Sequence, residues 1–167
     1  MPKSDQGVNR ERYRVIPRTL IFITRGERVL LLRGAPTKRL WANQYNGLGG
    51  HIERGENVLA AARRELAEEA GISVRGLRLV GTVLVDASED TGICLFVVCG
   101  EHAAGEAGAS PEGQPEWIAL SDLHSLPLVE DLRLLLPRVL EAAAGGTPFA
   151  ARSFYDAAEK LKLEFEA

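Results

Sequence analysis

Residues 50–72 read GHIERGENVLAAARRELAEEAGI, and the run from Asn57 to Ala70 within them is built almost wholly of strong helix formers. Asn57 has the side chain of an N-cap and Gly71 that of a stop, so the spacing predicts a helix over 57–70. At 100° per residue, Glu65 and Glu69 lie about 40° apart and Glu68 about 60° to the other side of Glu65. One helix face therefore carries all three carboxylates, and Leu59, Ala62, Leu66 and Ala70 form the adjacent, packing face. Like charges at these spacings cost a few tenths of a kcal/mol per pair, which an Arg64–Glu68 pair relieves only in part. Two readings follow: a solvated acidic face, or an oxygen-ligand site for a hard cation such as Mg²⁺ or Mn²⁺ that removes the repulsion.

The surrounding chain limits what such a site can serve. Its 167 residues suit one domain over 1–167, with residues 1–12 as a flexible N-terminal extension. Apolar residues at 46% and charged residues at 26% match an ordinary globular protein and argue against disorder. A net charge of −3 offers no general attraction to nucleic acid polymers or anionic lipid, so a bound polyanion needs a metal or a few placed cations. No apolar run has signal-peptide or membrane-helix length, from which a cytoplasmic location is expected. Cys94 and Cys99 are an odd distance apart on one expected strand, hence on opposite faces, and are read as buried thiols without a disulfide.

VIPRTLIFIT, RGER and VLLLR read as a hairpin across a Gly-containing turn. GAPTKRLWANQYNGLGG is a long loop with aromatic anchors, LRLVGTVLVDA, ICLFVVCGE and EWIAL read as strands, and HAAGEAGASPEGQP as a loop. VEDLRLLLPRVLEAAA has helical spacing that Pro137 is expected to kink or break. The C-terminal TPFAARSFYDAAEKLKLEFEA reads as a hairpin turning at Asp156. Hairpins and two separated helices together imply a mixed β-sheet covered by helices, an α/β fold.

The spacing upstream of the glutamates is more specific than the acidic face alone. Gly50, Glu56, Arg64, Glu65, Glu68, Glu69 and Gly71, with Leu66 and Ile72 between and after them, resemble the Nudix box at every specified position. Seven fixed identities give a chance match of about 10⁻⁸ per starting position. The resemblance extends from about Val15 to Leu140 and implies a Nudix-type α/β/α sandwich that hydrolyses a nucleoside diphosphate linked to another group. It implies Glu65, Glu68 and Glu69 as ligands of Mg²⁺ (Mn²⁺ substituting), with Glu65 or Glu69 also the general base. It further implies the Gly49 carbonyl and Glu112 of PEGQPEW as additional ligands, Glu56 as support for the metal shell, and Arg64 as the group that orients a glutamate.

QYNGLGG resembles the nucleoside triphosphate (8-oxo-dGTP-type) diphosphatase branch, in which an asparagine at the Asn46 position touches the base and an aromatic, here Tyr45, precedes it. LVEDLRLLLP stands where that branch reads the purine edge, making Asp131 and Glu130 candidates. The expected activity is Mg²⁺-dependent hydrolysis of a small-molecule nucleoside triphosphate to monophosphate and pyrophosphate. ADP-ribose or another nucleotide sugar is the rival substrate, weakened by Asp86, Ala87 and Ser88 where such enzymes often carry proline. A silent nucleotide sensor is disfavoured because no box residue is lost. A monomer and a homodimer remain equally open.

Overall fold

The computed structural model describes Gly7 and residues 11–166; the expected extension over 1–12 lies almost wholly outside the described residues. The elements are β1 (Arg14–Arg25), β2 (Arg28–Gly34), β3 (Tyr45–Asn46), α1 (Val58–Glu69), β4 (Ser73–Val85), β5 (Thr91–Ala104), β6 (Gly113–Ala119), a 3-10 helix (Leu120–Ser125), α2 (Leu132–Ala143), β7 (Phe149–Tyr155) and β8 (Leu161–Phe165). All eight strands join one mixed sheet in the order β3-β2-β1-β5-β4-β7-β8, with β6 on β2. The β1–β5 and β4–β7 pairs are parallel.

Period-two alternation explains the layers. On β1 and β2, Leu20, Phe22, Val29 and Leu31 pack with Leu132, Leu135, Leu136 and Val139 of α2. Their neighbours Ile21, Ile23, Leu30 and Leu32 pack with Ala62 and Leu66 of α1. Both faces are covered, so β1 shows an unbroken buried run from Thr19 to Ile23, as a strand between two helical layers should. This is the α/β/α arrangement expected from the sequence.

The hairpin of β1 and β2 turns at Gly26, φ +58°, but pairs only from Ile23↔Leu30 to Arg25↔Arg28. Beyond that the strands diverge, and residues 45–51 lie in the fork. Asn46 pairs with Leu32, the Ile21 and Leu48 backbones exchange hydrogen bonds at 2.8 and 3.2 Å, and the Thr19 N–H donates to the Gly50 carbonyl at 2.8 Å. A side chain at Gly47 would meet Leu20 Cδ1 at 2.8 Å and the Phe22 ring at 3.0 Å, so a larger residue there has to displace core side chains. Helix α1 starts on Asn57, whose Oδ1 accepts the N–H groups of Leu59 and Ala60 at 3.1 and 3.0 Å, and ends at Gly71, φ +67°.

The C-terminal hairpin forms as expected, with Asp156 Oδ1 accepting from Ala158 and Lys160 at the turn. Cys94 and Cys99 are free and buried, beside Pro17 and Phe22 on β1, positions of opposite parity. Of the kink or break expected at Pro137, the break does not occur: α2 runs through it as one helix. Pro137 lies on the exposed face, where water can take the Arg133 carbonyl that a proline ring leaves unbonded.

Candidate active site

A cleft of about 1130 Å³ runs from the fork and the acidic face of α1 to the sheet surface beside β7 and β8. Gly49, Gly50, Glu65, Glu68, Glu69 and Glu112 line one end; Asn46, Glu130 and Asp131 line the same cleft. Residues from four separate segments of the sequence are thus brought together.

The fork places Gly49 and Gly50 against α1. The Gly49 N–H donates to Glu69 Oε2 at 2.8 Å, and a Cβ built on Gly50 would lie 2.5 Å from Glu65 Oε1. Glu69 is buried on the packing side of α1, and its carboxyl is pushed up to about 7. Burial is the main cause; the Gly49 N–H and Lys38 oppose it, and the charges of Glu65 and Glu112 add to it.

Arg64 organises the remaining acids from behind. Its Nε and Nη2 donate to the two oxygens of Glu56 at 2.8 and 3.0 Å, its Nη1 to Glu65 and Glu68 at 2.9 and 3.1 Å, and its Nη2 also to the His51 carbonyl at 2.9 Å. These donors, together with the Glu53 N–H, hold the Glu56 carboxyl down at about 2, so it stays ionised. Neither Arg64 nor Glu56 forms part of the cleft wall. Glu56 reaches the metal-ligand candidates only through Arg64.

Among the described residues, no three His, Cys, Asp or Glu side chains already converge at metal-holding distance. Glu65 and Glu68 share Arg64 Nη1, while Glu69 turns away to the Gly49 N–H. Glu112 pairs with Lys38 at 2.5 Å across 74 residues of chain. The donor chemistry nevertheless suits a hard divalent cation: carboxylate oxygens from one rigid helix, one of them, Glu69, with its carboxyl pushed up to about 7 chiefly by burial.

Elsewhere along the cleft, Asn46 Oδ1 accepts the Gly47 N–H at 2.8 Å, leaving its amide NH₂ to donate. Asp131 opens α2 without a side-chain cap bond, and burial raises its carboxyl above the usual range. Glu130 is exposed beside it. Tyr45 requires a correction: its ring is buried in the α2-side core rather than facing the cleft, and its hydroxyl donates to Glu116 at 2.8 Å. Strand alternation decides this, since Asn46 faces the cleft and its neighbour must face away. Sequence reasoning missed Lys38, Trp41, Ser153 and Tyr155 on the cleft wall. Only Trp41 carried a signal, as an aromatic in the long loop; it is half exposed and left-handed at φ +59°.

The family profile described as NUDIX domain matches residues 15–139. The chain belongs to the Nudix family. This Nudix chain is 32% identical over 126 residues to the oxidized purine nucleoside triphosphate hydrolase of Mus musculus, covering 74% of this chain and 78% of that one. It is 31% identical over 116 residues to the NAD-capped RNA hydrolase NudC of Pseudomonas entomophila, covering 68% of this chain but 40% of that one. Its fold is similar to that of the mutator MutT protein from Bacillus halodurans, with a TM-score of 0.76 at 23% identity over 91% of this chain and 98% of that one. The Nudix protein is accordingly a pyrophosphohydrolase, acting on phosphorus-containing anhydrides. No helix among its described residues is long and apolar enough to cross a membrane.

Proposed function

We propose that this Nudix hydrolase cleaves a nucleoside triphosphate, an oxidised purine such as 8-oxo-dGTP among the candidates, to the monophosphate and pyrophosphate in a Mg²⁺-dependent reaction. The observation that carries the reading is that one and the same cleft is lined by Glu65, Glu68 and Glu69 and by Asn46, Glu130 and Asp131. A phosphate chain and a purine attached to it fit those two chemistries in that order. Similarity to the Mus musculus oxidized purine nucleoside triphosphate hydrolase supports the same substrate class.

Mg²⁺, or Mn²⁺ in its place, would be held by Glu65, Glu68 and Glu69 with Gly49 and Glu112 as further ligands, and supplies charge neutralisation and a more acidic water. The chain does the rest. Glu65 or Glu69 accepts the proton of the attacking water at a carboxylate oxygen, and Arg64, anchored on Glu56, keeps Glu65 and Glu68 in place by charge-assisted hydrogen bonds. Asn46 donates, and Asp131 pairs, with the edge of the base. The substrate is a free nucleotide rather than a polymer, and the expected setting is the cytoplasm.

The test is a panel of nucleoside triphosphates, 8-oxo-purine triphosphates, ADP-ribose and NAD, with products identified and the reaction run in ¹⁸O water. Pyrophosphate and a nucleoside monophosphate are expected, with label confined to those two products. Preferred cleavage of ADP-ribose to AMP and ribose phosphate would replace this reading with the nucleotide-sugar one. Label appearing only in orthophosphate would mean attack at the terminal phosphate.

A further inference from the structure

At one border the sheet ends on β8, whose only ladder among the described residues is to β7. The Asp156 N–H donates to the Lys160 carbonyl at 2.9 Å and the Glu166 N–H to the Ala150 carbonyl at 3.1 Å. With the register Phe154↔Lys162 and Arg152↔Glu164, these bonds set the phase of the ladder: residues 160, 162, 164 and 166 bond inward. The backbone N–H and C=O groups of Leu161, Leu163 and Phe165 therefore point outward along an edge that no other described strand covers. Proteins usually blunt such an edge with proline, a bulge or charge of one sign. The strand β8 has no proline, its ladder to β7 shows no register shift, and its charges change sign part-way along.

That change of sign is self-complementary. Lys160, Lys162, Glu164 and Glu166 are exposed on one face, and Leu161, Leu163 and Phe165 are half-buried on the other. We propose that β8 pairs antiparallel with β8 of a second copy of this chain, about a two-fold axis at Leu163. Leu163 then faces its own copy and Leu161 faces Phe165, as hydrogen-bonded pairs. Lys162 faces Glu164 and Lys160 faces Glu166, twice each, the former as a closely spaced non-hydrogen-bonded pair.

The alternatives are worse for stated reasons. Moving the axis by one residue sets Lys162 or Glu164 against its own copy. An axis between residues puts outward backbone groups opposite inward ones. Competition within the chain is weak: Lys162 Nζ lies 3.4 Å from Asp156 Oδ2, and Arg152, the residue opposite Glu164, is already bonded to Asp86 at 2.6 and 3.0 Å. A strand pair this short falls well below the roughly 800 Å² per partner of a standard interface, so the dimer is weak, reversible and sensitive to salt.

Sedimentation velocity on the full chain, across a concentration series at low and high salt, tests the pairing. The unmodified protein is expected to dimerise at low salt and dissociate as salt rises. Lys162→Glu and Glu164→Lys each turn two opposite-charge pairs into like-charge pairs and should each weaken self-association by about tenfold or more. An equal mixture of the two variants restores both pairs across the axis and should recover the dimer. Should Glu164→Lys fail to fold beside Arg152, Lys160→Glu and Glu166→Lys give the same three-way comparison. A monomer throughout the low-salt series overturns the proposal. So does a dimer that neither variant weakens, which would mean another face, or a mixture that stays monomeric, which would leave this edge to a different protein.

Discussion

Replacing Gly50 by alanine should separate the site from the fold. The added methyl would sit 2.5 Å from Glu65 Oε1, whereas ordinary contact begins near 3.4 Å, so the carboxylate must retreat by about 0.9 Å, the difference of those distances. The backbone of Gly50 is not left-handed and the obstacle is the far end of a flexible side chain, so the fold can accept the change. Moving the carboxylate off its rotamer and its 2.9 Å bond to Arg64 costs roughly 0.5–1.5 kcal/mol. At the reacting centre the same displacement is far more expensive, because a misplacement of about 1 Å costs on the order of a hundredfold in rate, or about 2.7 kcal/mol in barrier. The assay pairs thermal unfolding with pyrophosphate release from the preferred nucleotide. A kcat/KM within about threefold of the unmodified enzyme would show that Glu65 does not act where it has been placed. The control is Gly49→Ala: Gly49 has φ +127° and an added Cβ would collide with the Thr19 backbone carbonyl, so strain and overpacking each cost roughly 1–3 kcal/mol and the protein itself should lose stability.

Glu68→Gln and Glu69→Gln should each abolish most activity and weaken Mn²⁺ binding by titration, with little loss of thermal stability because like-charge repulsion falls; near-normal turnover of both at saturating Mg²⁺ would remove the metal-site assignment. Asp131→Ala should lower kcat/KM for the preferred purine triphosphate by roughly ten- to a hundredfold while sparing a pyrimidine one, and an equal fall for all nucleotides would make its role structural. Burial raises the Asp131 carboxyl, so ionising it penalises the folded state as pH rises from the ordinary value of 3.8 through the raised one. Asp131→Asn should therefore melt above the unmodified protein at pH 8 and converge with it in acid; equal offsets at both pH values would contradict a buried charge. Tyr45→Phe should cost about 1 kcal/mol in stability through loss of the Glu116 bond and leave kcat/KM unchanged, and a selective loss of activity would return Tyr45 to the site.

Local rules made much of this protein legible from its sequence. Helix α1, its Asn57 cap, its Gly71 stop and the common face of Glu65, Glu68 and Glu69 follow from short-range periodicity and backbone preference, which hold before any tertiary contact forms. The terminal hairpin was legible for the same reason, in its alternation and its Asp156 turn. Tertiary structure decided what depends on distant partners. The divergence of β1 from β2 lets residues 45–51 into the fork, and that insertion, not any local pattern, turns Tyr45 inward to Glu116 and Asn46 into the cleft. The Lys38–Glu112 pair closes 74 residues of chain, Arg64 gathers Glu56 behind the wall, and Pro137 stays helical because its face is solvent-exposed. A single sequence displays which residues can carry charge or turn a chain. Which of two neighbouring side chains meets the substrate depends on how strands part and pack, and that is settled only when the whole sheet has formed.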